Sequence, residues 1–237
     1  MIRDRYIAVS VLNSFTLGKD WGNLSLASGA MPTCGKNGLL RALVASLLWM
    51  VAMIAVADVQ HGGFTVSERR LQAAGHAELS PEISRAIVDQ LKIVEAASVP
   101  PDVLAFFKSV DISFDPDLAD HPGIFRELAD KGEVRLRPMS FDRSRPVVLH
   151  ELLHAFHFYK LGLDHPSIIG AFRKARLDTA GAERIYFLSN PKEFFAVTAS
   201  IYLVGDIKQP PFSCKALKDM AYMAFLRSQL GPGMCGR

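Results

Sequence analysis

Residues 147–162 read VVLHELLHAFHFYKLG, in which His150, Glu151 and His154 stand among Val147, Val148, Leu149, Leu152, Leu153, Ala155 and Phe156. Apolar residues on nearly every side predict a buried helix. Positions four apart share a helix face, so both imidazoles can reach one metal ion. Glu151 falls on the adjacent face, where a carboxylate can take a proton from metal-activated water. Two histidines and a glutamate are costly to bury in such company without a partner, and a divalent cation is the obvious one. The alternatives are a solvated surface helix, which the apolar setting disfavours, or a pair of hydrogen-bonded core histidines.

A catalytic zinc usually takes three protein ligands and leaves a fourth position for water. The best downstream candidate is Glu193, in SNPKEFFAVTASIYL at 189–203. Asn190 and Pro191 predict a helix start, with Asn at the cap and Pro in the first turn. Glu193 then enters an apolar helix with Phe194, Phe195, Ala196, Ala199, Ile201 and Leu203. An acid in a first turn is also explained by the helix dipole alone.

Together, the H-E-x-x-H helix, a Tyr seven residues before a Glu, and a Glu-aromatic-Phe-Ala helix resemble the gluzincin metallopeptidases. The likeness is to the catalytic domains of anthrax lethal factor and the secreted Pro-Pro endopeptidases. It covers roughly residues 132–203 and is sharp at the motifs only. The resemblance implies zinc held by His150, His154 and Glu193, with Glu151 as general base and Tyr186 donating to the oxyanion. Tyr186 could equally be a half-buried strand or core residue beside Ile185, Phe187 and Leu188, and Tyr159 and Tyr202 are less favoured electrophiles. The thermolysin-like branch carries an acid four residues after its ligand Glu, whereas Val197 stands there in this chain. A second carboxylate behind a zinc-bound histidine must then come from elsewhere, or be replaced by a backbone carbonyl. The metzincin pattern would need Gly at 157 and His at 160; the chain has His157 and Lys160, so that reading fails. His157 is expected to be a neighbouring polar contact, and His165 a loop residue before Pro166.

Upstream, residues 42–57 read ALVASLLWMVAMIAVA, sixteen positions without a charge. Lys36 and Arg41 precede this run, and Ala55-Val56-Ala57 closes it in the small-x-small form of a signal-peptidase site. A spanning helix usually needs about 20 apolar residues, which favours a cleaved leader over a membrane anchor through 42–57. Translation from Met31 would give that leader an ordinary length. Cleavage after Ala57 leaves 58–237 as one domain. The chain has 27 Lys+Arg and 24 Asp+Glu; residues 1–57 hold five and two of them, so 22 of each remain. A neutral domain without a basic cluster does not suggest nucleic-acid binding. Cys34 leaves with the leader, and Cys214 and Cys235 form a plausible disulfide in an oxidising compartment, two free thiols being the alternative.

In the remainder, 58–75 reads as a loose lead-in. Ser80-Pro81 predicts a helix with Ile83, Ile87, Leu91 and Val94 on one face. Further helices are expected at 101–108, 121–130 and 167–177, and short strands at 110–114 and 134–137. The segment 133–138 is either the sheet edge that pairs with a substrate backbone or an internal strand with solvent-facing arginines. A last helix at 215–230 would turn Leu217, Met220, Ala221, Ala224 and Phe225 to the core. The expectation is a zincin-like α+β domain: a small mixed sheet, an active-site helix and a mainly helical C-terminal half. Its expected function is an exported zinc metallopeptidase, periplasmic or secreted, acting on peptide or protein substrates. The alternative is a non-catalytic zinc-containing binding protein of the cell envelope.

Overall fold

The computed structural model describes residues 58–236 apart from 77, 119, 129–131, 206–212 and 218. The chain divides between Ile54 and Ala55, and every described residue belongs to the second unit. The expected leader, its Met31 start and the whole of the candidate anchor lie outside the described residues.

The lead-in is not loose. Gly62 and Gly63 both take positive φ, +56° and +84°, which matches the primed turn that joins tightly twisted strands. They connect strand β1 (Val59–His61) to β2 (Phe64–Ser67) in an antiparallel hairpin. Phe64 and Val66 face inward and are fully buried. The His-Gly-Gly-Phe signal was present in the sequence, but a three-residue strand is too short to show a period. Helix α1 (Arg69–Ala73) follows, then α2 (Pro81–Ala96), α3 (Pro101–Ser109) and strand β3 (Asp111–Phe114). Ser80 caps α2 as expected, its hydroxyl accepting from the Ile83 N–H. Ile87, Leu91 and Val94 are buried beneath it.

The segment expected as a helix at 121–130 contains strand β4 (Gly123–Arg126) instead. It pairs antiparallel with β5 (Glu133–Leu136), which itself runs parallel to β3. The five strands form one mixed sheet in the order β1-β2-β3-β5-β4. Thus β5 is internal, and β1 and β4 are the edges among the described residues. Arg135 on β5 does not face solvent freely: it pairs with Glu133 at 2.8 Å and Asp115 at 3.1 Å, and Arg70 closes on the same glutamate. β4 escaped sequence reading because Gly-Ile-Phe-Arg has no clear alternation, and its partner supplies its hydrogen bonds.

Helix α4 (Val147–Phe156) packs on α2, α3, α6, β4 and β5. Leu149, Leu152 and Leu153 have no exposed surface, and burying each contributes roughly 1.5–3 kcal/mol. The helix continues into a π-turn at His157–Leu161, a feature often found at functional sites. Helices α5 (Pro166–Leu177), α6 (Pro191–Val204) and α7 (Met220–Leu230) complete the helical half. The α+β architecture with a mixed sheet therefore stands. The core stripe of α7 differs from expectation: Tyr222, Leu226 and Leu230 are buried, and Met220 is 80% exposed. Asp219 caps the helix by accepting from the Ala221 and Tyr222 N–H groups, so the helix begins at Met220. Cys214 and Cys235 are bonded, tying the C-terminal turn to the segment ahead of α7. Among the described residues no helix is long and apolar enough to cross a membrane.

Candidate metal centre

Helix periodicity puts His150 and His154 one turn apart on α4, and capping aims the third group. Asn190 accepts from the Glu193 N–H at 3.0 Å, which holds Glu193 in the first turn of α6 as that helix crosses α4. The His150 and His154 Nε2 atoms are 3.1 Å apart. Glu193 Oε2 lies 3.3 Å from His150 Nε2, and its Oε1 lies 3.4 Å from His154 Nε2. These three residues could hold a metal ion. Ligand bonds of ~2.0–2.1 Å in tetrahedral geometry separate donor atoms by roughly 3.3–3.4 Å, so the spacing fits a zinc-sized ion. Glu193 Oε2 is buried and, although close to His150, has no partner in hydrogen-bonding alignment. Three lone-pair donors converging on one point are reconciled by a cation.

Burial works against the Glu193 charge, but the His150 and His154 contacts and the Tyr186 hydroxyl outweigh it. They hold the carboxyl well below the ordinary carboxylate range. Glu151 behaves oppositely. It is 6% exposed, and burial pushes its carboxyl up to about 7, opposed by His154, reinforced by Glu193 and opposed again by the Phe125 N–H. A carboxylate poised near neutrality suits a group that takes and returns a proton.

Strand β4 was missed in the sequence and forms one wall of this site. Its Phe125 amide donates to Glu151. A Cβ added at Gly123 would meet Glu151 Cγ and Val147 Cγ1 at 3.1 Å, and Leu136 Cδ2 at 3.2 Å. A side chain here would require Glu151, Val147 or Leu136 to give way by a few tenths of an ångström. Gly123→Ala should therefore lower any turnover at least tenfold by shifting Glu151 while metal content stays unchanged; unchanged kcat would refute this role.

The 3-10 turn Tyr186–Leu188 brings Tyr186 to the same site. The residue as a whole is 60% exposed, while its hydroxyl interacts with the Glu193 carboxylate. Burial of that hydroxyl and the nearby Glu193 and Glu151 carboxylates raise the phenol above its usual range. The other tyrosines are occupied elsewhere: Tyr159 donates to the Leu128 carbonyl and Tyr202 to the Gly231 carbonyl. His157 is not the polar contact expected. It is fully buried against the Phe195 ring, neither ring nitrogen has a hydrogen-bond partner among the described residues, and burial lowers its pKa to about 4. His165 caps α5 by accepting from the Ser167 N–H.

A cavity of about 270 Å³ opens beside the cluster, lined by His150, Glu151, Tyr186, Val147, Val197 and Ser200 among others. Val197, where an acid would stand in the thermolysin-like pattern, is a wall of this cavity. At the other end of β4, Glu127 pairs with Lys192 of α6 at 2.6 Å.

No family model matches the chain, and no curated protein matches it. Among solved structures, the Pro-Pro endopeptidase PPEP-2 from Paenibacillus alvei aligns with a TM-score of 0.43 at 19% identity. That alignment covers 64% of this chain and 93% of the other.

Proposed function

We propose that this chain is an exported zinc metallopeptidase of gluzincin type, with residues 1–57 as its leader and 58–237 as its catalytic domain. The observation that carries the reading is the convergence of His150, His154 and Glu193 beside a buried carboxylate, Glu151. The donor set of two imidazoles and one carboxylate is that of catalytic zinc. When bound, zinc supplies the Lewis acidity that makes water nucleophilic near neutral pH. Glu151 accepts the proton of the attacking water and passes it to the leaving amine. Tyr186 offers its phenol hydrogen to the carbonyl oxygen as charge develops there, exchanging its Glu193 bond for the substrate. The free edge of β4, adjacent to Glu151, is suited to pair with an extended peptide backbone. Export is supported by the leader-like run and by the Cys214–Cys235 bond, since disulfides persist in oxidising compartments.

The test is digestion of a peptide library by the purified chain, with and without chelator. Cleavage that stops on chelation and returns with zinc supports the reading; absence of cleavage by the zinc-loaded chain overturns it. Tyr186→Phe should lower kcat by about 10²–10³-fold with metal content intact. A smaller effect on kcat would remove Tyr186 from the mechanism.

A further inference from the structure

A second cavity lies across α6 from the candidate metal centre. Val197 and Ser200 of that helix line the space beside His150 and Glu151, whereas Phe194, Thr198 and Ile201 line a separate space of about 380 Å³. Ala171 and Ala175, one turn apart on α5, line it too, and their short side chains leave it open. Tyr222 of α7 forms a further wall. Ile185, Phe187 and Leu188 close the space from either side of Tyr186. A close-packed interior keeps few voids larger than water, and this one falls in the ~300–1,000 Å³ range of small-molecule sites.

Its walls restrict what it can hold. Three of them are aromatic: the Phe194 ring centre stands 5.3 Å from that of Tyr222 and 6.4 Å from that of Phe187. Thr198 donates its one hydroxyl hydrogen to the Phe194 carbonyl at 2.6 Å, with the Phe195 carbonyl beside it at 3.2 Å. The 2.8 Å bond between the Thr198 and Tyr222 hydroxyls is then donated by Tyr222. Both hydrogens are committed, so the tyrosine oxygen keeps a lone pair and can only accept. A molecule meeting that oxygen must bring a donor. The charged lining residues are Lys174, paired with Asp219 at 3.0 Å, and exposed Asp178. Two carboxylates against one ammonium disfavour an anion.

We propose that this cavity binds a small uncharged aromatic molecule with one hydrogen-bond donor, of the indole or phenol class, and that its occupancy restrains the turn bearing Tyr186. The ring packs against Phe187 and Phe194, and the Tyr222 oxygen accepts the donor. The turn is held by the Leu188 N–H on the Ile185 carbonyl at 2.9 Å and the Ser189 N–H on the Tyr186 carbonyl at 3.0 Å. A ligand against Ile185, Phe187 and Leu188 opposes the opening of both bonds. Binding itself requires no peptidase activity, since none of His150, Glu151, His154 and Glu193 lines this cavity.

The test is calorimetric titration of the purified chain with indole, with benzofuran, which has an oxygen in place of the N–H, and with indole-3-acetate. Indole should bind with a Kd below about 1 mM, benzofuran about 3–10-fold more weakly, and the anionic indole-3-acetate more weakly than indole. Tyr222→Phe removes the acceptor and should bring indole and benzofuran to the same affinity. Ala175→Phe fills the space and should abolish binding of both. Hydrogen exchange at the Leu188 and Ser189 amides should slow about threefold or more in saturating indole. No indole binding below about 1 mM, or binding that survives Ala175→Phe, overturns the site. Benzofuran or indole-3-acetate bound as tightly as indole overturns the ligand class. So does a parent-like preference for indole in Tyr222→Phe, whether or not the Ala175 variant folds. Unchanged exchange at Leu188 and Ser189 with indole bound overturns the link to Tyr186.

Discussion

Glu151→Gln should lower kcat by about 10²–10⁴-fold while leaving metal content unchanged, and should make the metal-free protein more stable at pH 8. The two halves of this result have one cause. Glu151 is buried beside Glu193, and its carboxyl is raised from an ordinary 4.5 to about 7 in the folded state. The folded protein therefore binds more protons than the unfolded chain between those values. Its stability falls as pH rises through that window and stays reduced above it. The difference corresponds to about 3 kcal/mol at most. Glutamine keeps the shape and removes the charge, so this loss disappears in the variant. Denaturant unfolding of chelated protein at pH 5 and pH 8 measures it. A variant that is no more stable than the parent at pH 8 would show that the Glu151 carboxylate is not destabilising where it sits.

Glu193→Gln should also abolish turnover, with the opposite effect on the metal-free fold. Its carboxyl is held below the usual range by contacts with His150, His154 and Tyr186. A depressed carboxyl contributes stability that is present above its ordinary value and is lost as pH falls through the folded one. Removing the charge should therefore destabilise the chelated protein at pH 7, where the Glu151 substitution stabilises it. Metal affinity should fall more than 100-fold, because one of three donors is weakened. At metal concentrations 1,000 times the parent Kd, bound metal adds about 4 kcal/mol to stability, and the variant should lose most of that increment. Metal analysis after dialysis, with thermal unfolding before and after chelator, reads both effects. Retention of stoichiometric metal by Glu193→Gln would exclude Glu193 as a ligand.

The contrast between these residues shows what could be read from the chain. Both histidines and the glutamate between them are local, since a helical repeat places them whatever surrounds the helix. Glu193 was legible because Asn190 and Pro191 announce a helix start, and the Asn190 cap does fix the Glu193 backbone. The sequence could not say whether its carboxylate serves the dipole or a metal, because that depends on how α6 crosses α4. The same limit applies to Tyr186, one residue inside a short 3-10 turn with no period to read.

The largest miss near the site was β4. A four-residue strand has little pattern, and the sequence does not show that Gly123 lies against Glu151, where an added Cβ would stand 3.1 Å from its Cγ. The core stripe of α7 was misread for a related reason. Tyr222, Leu226 and Leu230 face inward because the helix packs on α5 and α6, and that contact is not written in its own period.

By itself, the sequence determined the buried helix with its two histidines and the glutamate between them, the capped helices, the mixed α+β class and the cysteine pair. Each is encoded by spacing within one segment or by residue type, so no knowledge of distant packing is needed. Tertiary structure alone decided that Glu193 meets the histidines, that β4 is the sheet edge against Glu151, and that Val147, Val197 and Ser200 enclose one cavity. Those relations join segments tens of residues apart. They follow from how α4, α6 and the sheet bury their apolar faces against one another, and no local period carries that information.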